Sequence, residues 1–563
     1  MITRGQNFRE FPLNIVGSST FGRYPKISEE KTYNMFMSDN FMVPYAGYII
    51  GIPASNFGGN VQGRGIFFST KFNALVVVMG NTVFLVNLTY SQQQQKVTFF
   101  QAIPIGKLQT STGVVYITEN NKPQIGISDS TAFYVYDLSL SPTFQTVPLS
   151  FVPGYVTFHD TYFIMPARGT NNWRLSGNNE GTSWPTDQFS VGALQSKPDN
   201  VQAVVRFPSK GNMIFVMGST VTEAWFDTGA QLFPYQRNNQ FNIDYGCLQP
   251  ATVAYMDELV VWLAQNEKSG PIILASDGGM PKKITTDGID YLFSTLQNPQ
   301  DSQAFLYRQD GHLFYHINFY SDNLSLFYDF NTDKFYHAGD QNLNYFIASE
   351  VAFINNQYYF VSKNTGNLYA FDTAFYTYQD TDSLGNVTNN EIPRIRICKN
   401  IRTPQQDYSV INDVGFTIES GETNYQQQNL GEIILITQAG NPLITQGDFL
   451  GLVTQDDMPL ITQDGKFLVS QQEAQGSEAI LIAQQKANTG FSNLSLPHVD
   501  LSISIDGGAT FGNEWAYYLP PIGYRKNRLM WWQCGIANDF VAQFKFWGMG
   551  RFVATDGVAN IRV

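Results

Sequence analysis

Charge is scarce in this chain: only 14% of its 563 residues are Asp, Glu, Lys or Arg, against about a quarter in an ordinary globular protein. What charge there is leans acidic, with 34 basic and 47 acidic residues and a net charge of −13. That balance excludes the wrapping of duplex DNA as a main task, because such affinity comes from Lys and Arg neutralising phosphates. It leaves open a conduit through which DNA slides without being gripped, and it equally fits plain solubility. Cysteine is scarce too. Cys247, Cys398 and Cys534 lie far apart, no pair has zinc-ligand spacing, and three cannot all pair within one chain. Buried reduced thiols and folding in a reducing cytoplasm are expected. The start "MITRGQNFREF" lacks the apolar run of a signal peptide. No 18 consecutive apolar residues occur, so no membrane span is expected. Ala/Leu/Glu/Lys runs with helical spacing are missing as well, which excludes long helices.

What is abundant is aromatic and turn-forming. The chain has 44 Phe, 30 Tyr and 47 Gly, and is 43% hydrophobic. Aromatic and β-branched residues suit a pleated, half-buried surface, so the composition predicts an all-β protein. From about residue 60 to 400, short apolar strands alternate with tight turns. "ALVVVMGNTVFLVN" turns at Gly80-Asn81, "YVTFHDTYFIMPA" at Asp160-Thr161, and "GNMIFVMGSTVTEAWF" at Gly218-Ser219. Such a meander is too long for one sandwich. At about 40–50 residues per four-stranded blade it predicts a β-propeller of about six blades, or seven. The expected division is 1–60 as an N-terminal segment joining a platform β-domain, 61–400 as the propeller, and 401–430 with 490–563 as a C-terminal β-domain.

Residues 431–489 form an insert built on another period. "LITQ" or a close variant recurs at Leu435, Leu443, Leu452, Leu460 and Leu468, with turn residues between the copies. Each copy reads as a short strand, giving a β-meander or small solenoid of octads. With few charges and many β-formers, such a sheet alone risks edge-to-edge aggregation. It is therefore a candidate interface with a neighbouring subunit or a partner.

Candidate chemistry is thin. "SISIDGGATF" fits the spacing S-x-D-x-G-x-T-[FW] through Ser504, Asp506, Gly508, Thr510 and Phe511. This is the Asp-box hairpin, in which a carboxylate accepts bonds from downstream backbone groups and Gly supplies an angle other residues avoid. A degraded copy stands at Asn179, Gly181, Ser183 and Trp184. Asp boxes occur in sialidases, so a glycan-binding or sialidase-like propeller is the alternative reading. A sialidase also needs an arginine cluster, and "EIPRIRI" (Glu391 to Ile397) only shuffles the letters of its Arg-Ile-Pro element. His312 and His316 would share a strand face, but no third metal ligand stands nearby. "SDGGMP" lacks the strand-to-helix setting of a phosphate loop, and no G-x-S-x-G elbow occurs. No catalytic, cofactor or metal residue is expected.

The order of segments carries a resemblance. "GSSTFGRYPKISEEKTYNMFMSD", "SGNNEGTSWPTDQFSVGALQSKPDNVQAVV", "VMGSTVTEAWFDTGAQLFPYQR", "YGCLQPATVAYMDELVVWLA", "DGGMPKKITTDGID", "YDFNTDKFYH" and "LSISIDGGATFG" follow one another. This series resembles the packaged-DNA stabilisation proteins of short-tailed (podovirus-type) bacteriophages, also called tail accessory or tail-hub (nozzle) proteins. The resemblance covers most of the chain apart from the octad insert. It implies a non-enzymatic virion tail protein, assembled in the host bacterial cytoplasm as a homo-oligomer, a hexameric ring. Such a ring meets the portal adaptor, extends the channel, helps retain packaged DNA until ejection and docks tail fibre, spike or needle proteins. Double-stranded DNA would pass without sequence-specific binding. Six copies would carry roughly −80 in total, a field that repels phosphate.

Overall fold

The computed structural model describes residues 8–22, 30–91, 96–139, 142–207, 210–230, 232–373, 376–381, 387–402, 408–420, 433–434, 468–469, 497–519, 526–548 and 550–562. Strands dominate, and the α-helix among the described residues is the short Asp287–Ser294. Contacts divide the chain into two units. One, the propeller unit, is Ile50–Asp333 with Asn344–Phe371. The other, the terminal unit, is Met1–Ile49, Lys334–Leu343 and Asp372–Val563.

The propeller unit is a β-propeller made of antiparallel meanders in chain order. The first sheet is Gly63–Ser69, Ala74–Met79, Thr82–Ser91 and Lys96–Lys107. The next three are built the same way, starting at Tyr116, Thr157 and Val201. A fifth centres on Leu259–Gln265 and Ile272–Ser276. Two more begin with Ser302–Gln309 and Ala348–Ile354. These seven reach the upper end of the expectation. The hairpins turn where Asn, Asp or Gly can adopt the left-handed region: Gly80 (φ 57°), Asp160 (55°), Asp257 (52°) and Asp310 (50°).

Central strands such as Ala74–Met79 and Met213–Gly218 are buried on both faces because their sheets are covered on both sides. In Phe133–Asp137, Tyr134 and Tyr136 pack with Val76 and Val78 of the first sheet. Phe133 and Val135 point the other way, to Phe158 and Phe163 of the third. The two-residue period of a strand thus feeds two cores at once. Trp173 and Trp225, ring centroids 5.4 Å apart, fill the next layer, and Phe215 and Trp262 the one after. The ring closes on itself. A Cβ at Gly63 in the first sheet would lie 2.8 Å from Ser362 O in the last, so no larger residue fits there.

The terminal unit is gathered from distant pieces. Phe8–Leu13 pairs with Phe552–Arg562, starting at Phe8↔Arg562. Arg394–Ile397 pairs with Asp539–Trp547, and Lys31–Tyr33 pairs with Arg394–Ile397. Ser409–Ser420 lies between Asn527–Ala537 and Phe552–Arg562. Val414, Phe416, Leu529 and Trp531 of this sheet share one core with Val499, Leu501, Phe544 and Phe546 of the other.

Candidate functional site

The Asp506 turn joins His498–Ser504 to Trp515–Tyr518 in the terminal unit. Ser504 Oγ donates to Asp506 Oδ1 at 2.6 Å. Thr510 donates its N–H to Oδ1 at 2.9 Å and its hydroxyl to Oδ2 at 2.7 Å. Gly508 N–H donates to Ser504 Oγ at 2.8 Å. Gly507 and Gly508 have φ of 74° and 95°, a region that favours glycine. Bonds from Ser504 and Thr510 hold the Asp506 carboxyl well below the usual carboxylate range. Phe511 is half-buried. The arrangement braces a turn, and its carboxylate has both oxygens committed to that task.

The turn at 176–184, in the propeller unit, uses similar letters differently. Asn179 adopts φ 50°, but its buried Oδ1 has no hydrogen-bond partner. Gly177 N–H donates to Ser183 O at 2.7 Å, and Trp184 Nε1 donates to Gly181 O at 2.9 Å. The Trp184 ring packs edge-on against Phe133 and Phe151. The bracing carboxylate is Glu180, which accepts from the Thr182 hydroxyl at 2.7 Å and from Gln124 Nε2 at 3.1 Å. Of the octad leucines, Leu435, Leu443, Leu452 and Leu460 lie outside the described residues. Leu468 starts the two-residue strand Leu468–Val469, which pairs in parallel with Ile433–Ile434.

The other polar candidates serve the scaffold. His312 Nδ1 bonds Asp329 Oδ2 at 2.9 Å. His316 stacks on Phe305 at 4.8 Å, and burial pushes its pKa down to about 3. Among the described residues no group of three or more His, Cys, Asp or Glu could hold a metal ion. Cys247, Cys398 and Cys534 are buried free thiols, each pushed up to about 12 by burial. Among the described residues no helix is long and apolar enough to cross a membrane. The arginines of "EIPRIRI" are buried in the terminal unit. Arg394 donates to Gly548 O at 3.0 Å and to Tyr376 O. Arg396 donates to Ser18 O at 3.0 Å and Asn14 O at 2.8 Å, and pairs with Glu30 at 2.5 Å.

The propeller unit holds two cavities among its inner strands. One, of about 360 Å³, is lined by Ile66, Tyr116, Tyr155, Phe305, Tyr255 and Glu350, among others. The second, of about 520 Å³, is lined by Asp129, Arg168, Gln202, Gln249, Gln265 and Gln300, among others. Val114, Tyr116, Tyr155 and Pro250 line both and stand between them. The Tyr116 and Tyr155 rings are 5.0 Å apart. Cavities of this size admit small groups and no duplex.

Glu350 is the functional candidate that sequence reasoning missed. Its only signal in the sequence is one carboxylate inside the apolar strand "ASEVAFI", Ala348–Ile354. Arg64, buried and bonded to Gly80 O at 2.9 Å, Gly113 O at 2.7 Å and Thr110 O at 2.7 Å, was equally hidden in "GRGIFFS".

The model of the phage stabilisation family, described as bacteriophage P22 Gp10, beta-propeller, matches residues 28–376, more than half of the chain. No curated protein sequence matches. Among solved structures, the N-terminal domain of Nup159 is similar at 11% identity and a TM-score of 0.36, covering 61% of this chain and 98% of its own. Virginiamycin B lyase from Staphylococcus aureus follows at 10% and 0.38, covering 55% and 95%. BamB from Moraxella catarrhalis stands at 7% and 0.33, covering 65% and 98%. At such scores these likenesses carry no argument about function.

Proposed function

The chain belongs to the phage stabilisation family described by bacteriophage P22 Gp10, and from that premise we propose that it works by assembly in the virion tail, without catalysis. In this reading about six copies form a ring below the portal adaptor. The ring extends the DNA channel, helps hold the packaged genome and docks fibre, spike or needle proteins. The family match over residues 28–376 is the observation that carries the reading. Two physical features support it. The propeller's inner cavities are too small for a duplex, so the conduit runs between copies and not along a propeller axis. The acidic balance, −13 per chain, disfavours tight phosphate binding along that bore.

The octad insert, 431–489, supplies a contact with a neighbouring subunit or a fibre in this reading, through the face that carries Leu435, Leu443, Leu452, Leu460 and Leu468. The braced turn at Ser504, Asp506, Gly508 and Thr510 keeps the platform domain stiff. Mass photometry of the purified chain with its adaptor tests the central point. Particles of about six copies are expected; a stable monomer at high concentration with the adaptor present contradicts it.

A further inference from the structure

Glu350 stands alone in the smaller cavity. It is the one charged side chain on that lining. Its Oε2 accepts the Ile66 N–H at 3.1 Å, and among the described residues no hydrogen bond reaches its other oxygen. The titratable groups that face it are tyrosines: Tyr116, Tyr155, Tyr255 and Tyr358 line the same cavity, and Tyr320 senses its charge. The nearby arginines are engaged elsewhere. Arg168 lines the other cavity and donates to Ser130 O at 3.0 Å, and Arg206 lies over the Tyr255 ring at 5.7 Å. Desolvation therefore pushes the Glu350 carboxyl up to about 8. Glu350 is half-buried, and a carboxylate set against such a lining without a cation is disfavoured, since buried charges are normally paired.

We propose that this cavity binds an alkylammonium group, with Glu350 as its counter-ion and the rings of Tyr116 and Tyr155 as its faces. The lining mixes polar groups with apolar side chains such as Val351, Met256 and Phe353, which can lie along a short methylene chain, and aromatic rings attract a cation. A divalent metal fits poorly, since calcium or magnesium requires several oxygen ligands and the lining holds one carboxylate. The ammonium comes either from a free amine or from a lysine on another chain. This site is independent of the ring reading.

Binding is linked to protons. Near neutral pH Glu350 is mostly protonated, so an incoming ammonium ionises it and releases one proton. Affinity then climbs with pH towards about 8 and levels off. The experiment is calorimetric titration of the full chain with n-butylammonium chloride at about pH 6.5 and 8.5, in two buffers of different ionisation enthalpy. A second arm uses Nα-acetyl-lysine N-methylamide. Saturable binding is expected with at least one probe, on the order of tenfold tighter at the higher pH, with about one proton released at the lower. Binding by the first probe alone assigns a free amine; binding by the lysine amide assigns a chain-borne lysine. Glu350→Gln keeps the side chain's size and the neutral form's hydrogen bond, and should lose the binding. The wild-type proton release gives a readout that needs no variant. No saturable binding by either probe at millimolar concentration, or equal binding by Glu350→Gln, overturns the proposal.

Discussion

The two units solve the same problem, burying a buried arginine, by opposite routes. In the propeller unit Arg64 is held by Gly80, Thr110 and Gly113, all within about fifty residues along the chain. In the terminal unit Arg396 is held by Asn14, Ser18, Thr32 and Glu30, more than three hundred residues away. One unit is a string of local meanders. The other comes together only when both ends of the chain meet. Local pairing closes short loops at low entropic cost, whereas distant pairing must first close long ones. The terminal unit's integrity should therefore rest on fewer, more critical ties.

The largest effect is expected at the distant tie. Arg396→Leu leaves Glu30, itself only 15% exposed, and several carbonyls without their cation. Removing one partner of such a pair typically costs about 3–5 kcal/mol. Urea unfolding should show a loss of that order, and hydrogen exchange should quicken over residues 14–20 and 30–33 while the propeller strands stay protected. A loss spread evenly over both units would break the contrast. Arg64→Leu should cost less, about 2–3 kcal/mol, because water can reach part of the loop left behind. Its exchange signature should stay within the first two sheets.

Opposite pH responses sharpen the comparison further. Glu350, in the propeller unit, has its pKa raised to about 8. Its contribution to stability is fully present below the ordinary carboxylate range and is lost as pH rises through about 8. Glu350→Gln should flatten thermal stability across that window. Asp506, in the terminal unit, is held below the ordinary range by Ser504 and Thr510. Its contribution is present above that range and is lost as pH falls below it. Asp506→Asn should give the smallest change, a shallower acid limb with little effect near neutrality. Both are read from melting temperature against pH, and identical slopes in a variant and the wild type would count against the assigned group.

The same contrast explains what the sequence disclosed. Hairpins such as Ala74–Met79 with Thr82–Ser91 were legible because both strands and their turn lie in one short window. The Asp506 turn was legible for the same reason, since all its bonds span four residues or fewer. The pairing Phe8↔Arg562 was not, because nothing local marks a strand's distant partner. Glu350 and Arg64 were hidden because a single charge in an apolar strand reads as a solvent-facing residue until the second covering sheet is seen. The 176–184 turn shows the converse. Asn179 fits the spacing, yet the bonding passes to Glu180, since a neutral amide oxygen is a weaker acceptor than a carboxylate.

The most direct test of the account is a density map of the virion at a resolution that separates the subunits. It should show about six copies of this chain around a common bore, with DNA density between the copies and none along any propeller axis. DNA threading the propeller itself, or a tail that lacks this chain, would contradict the account.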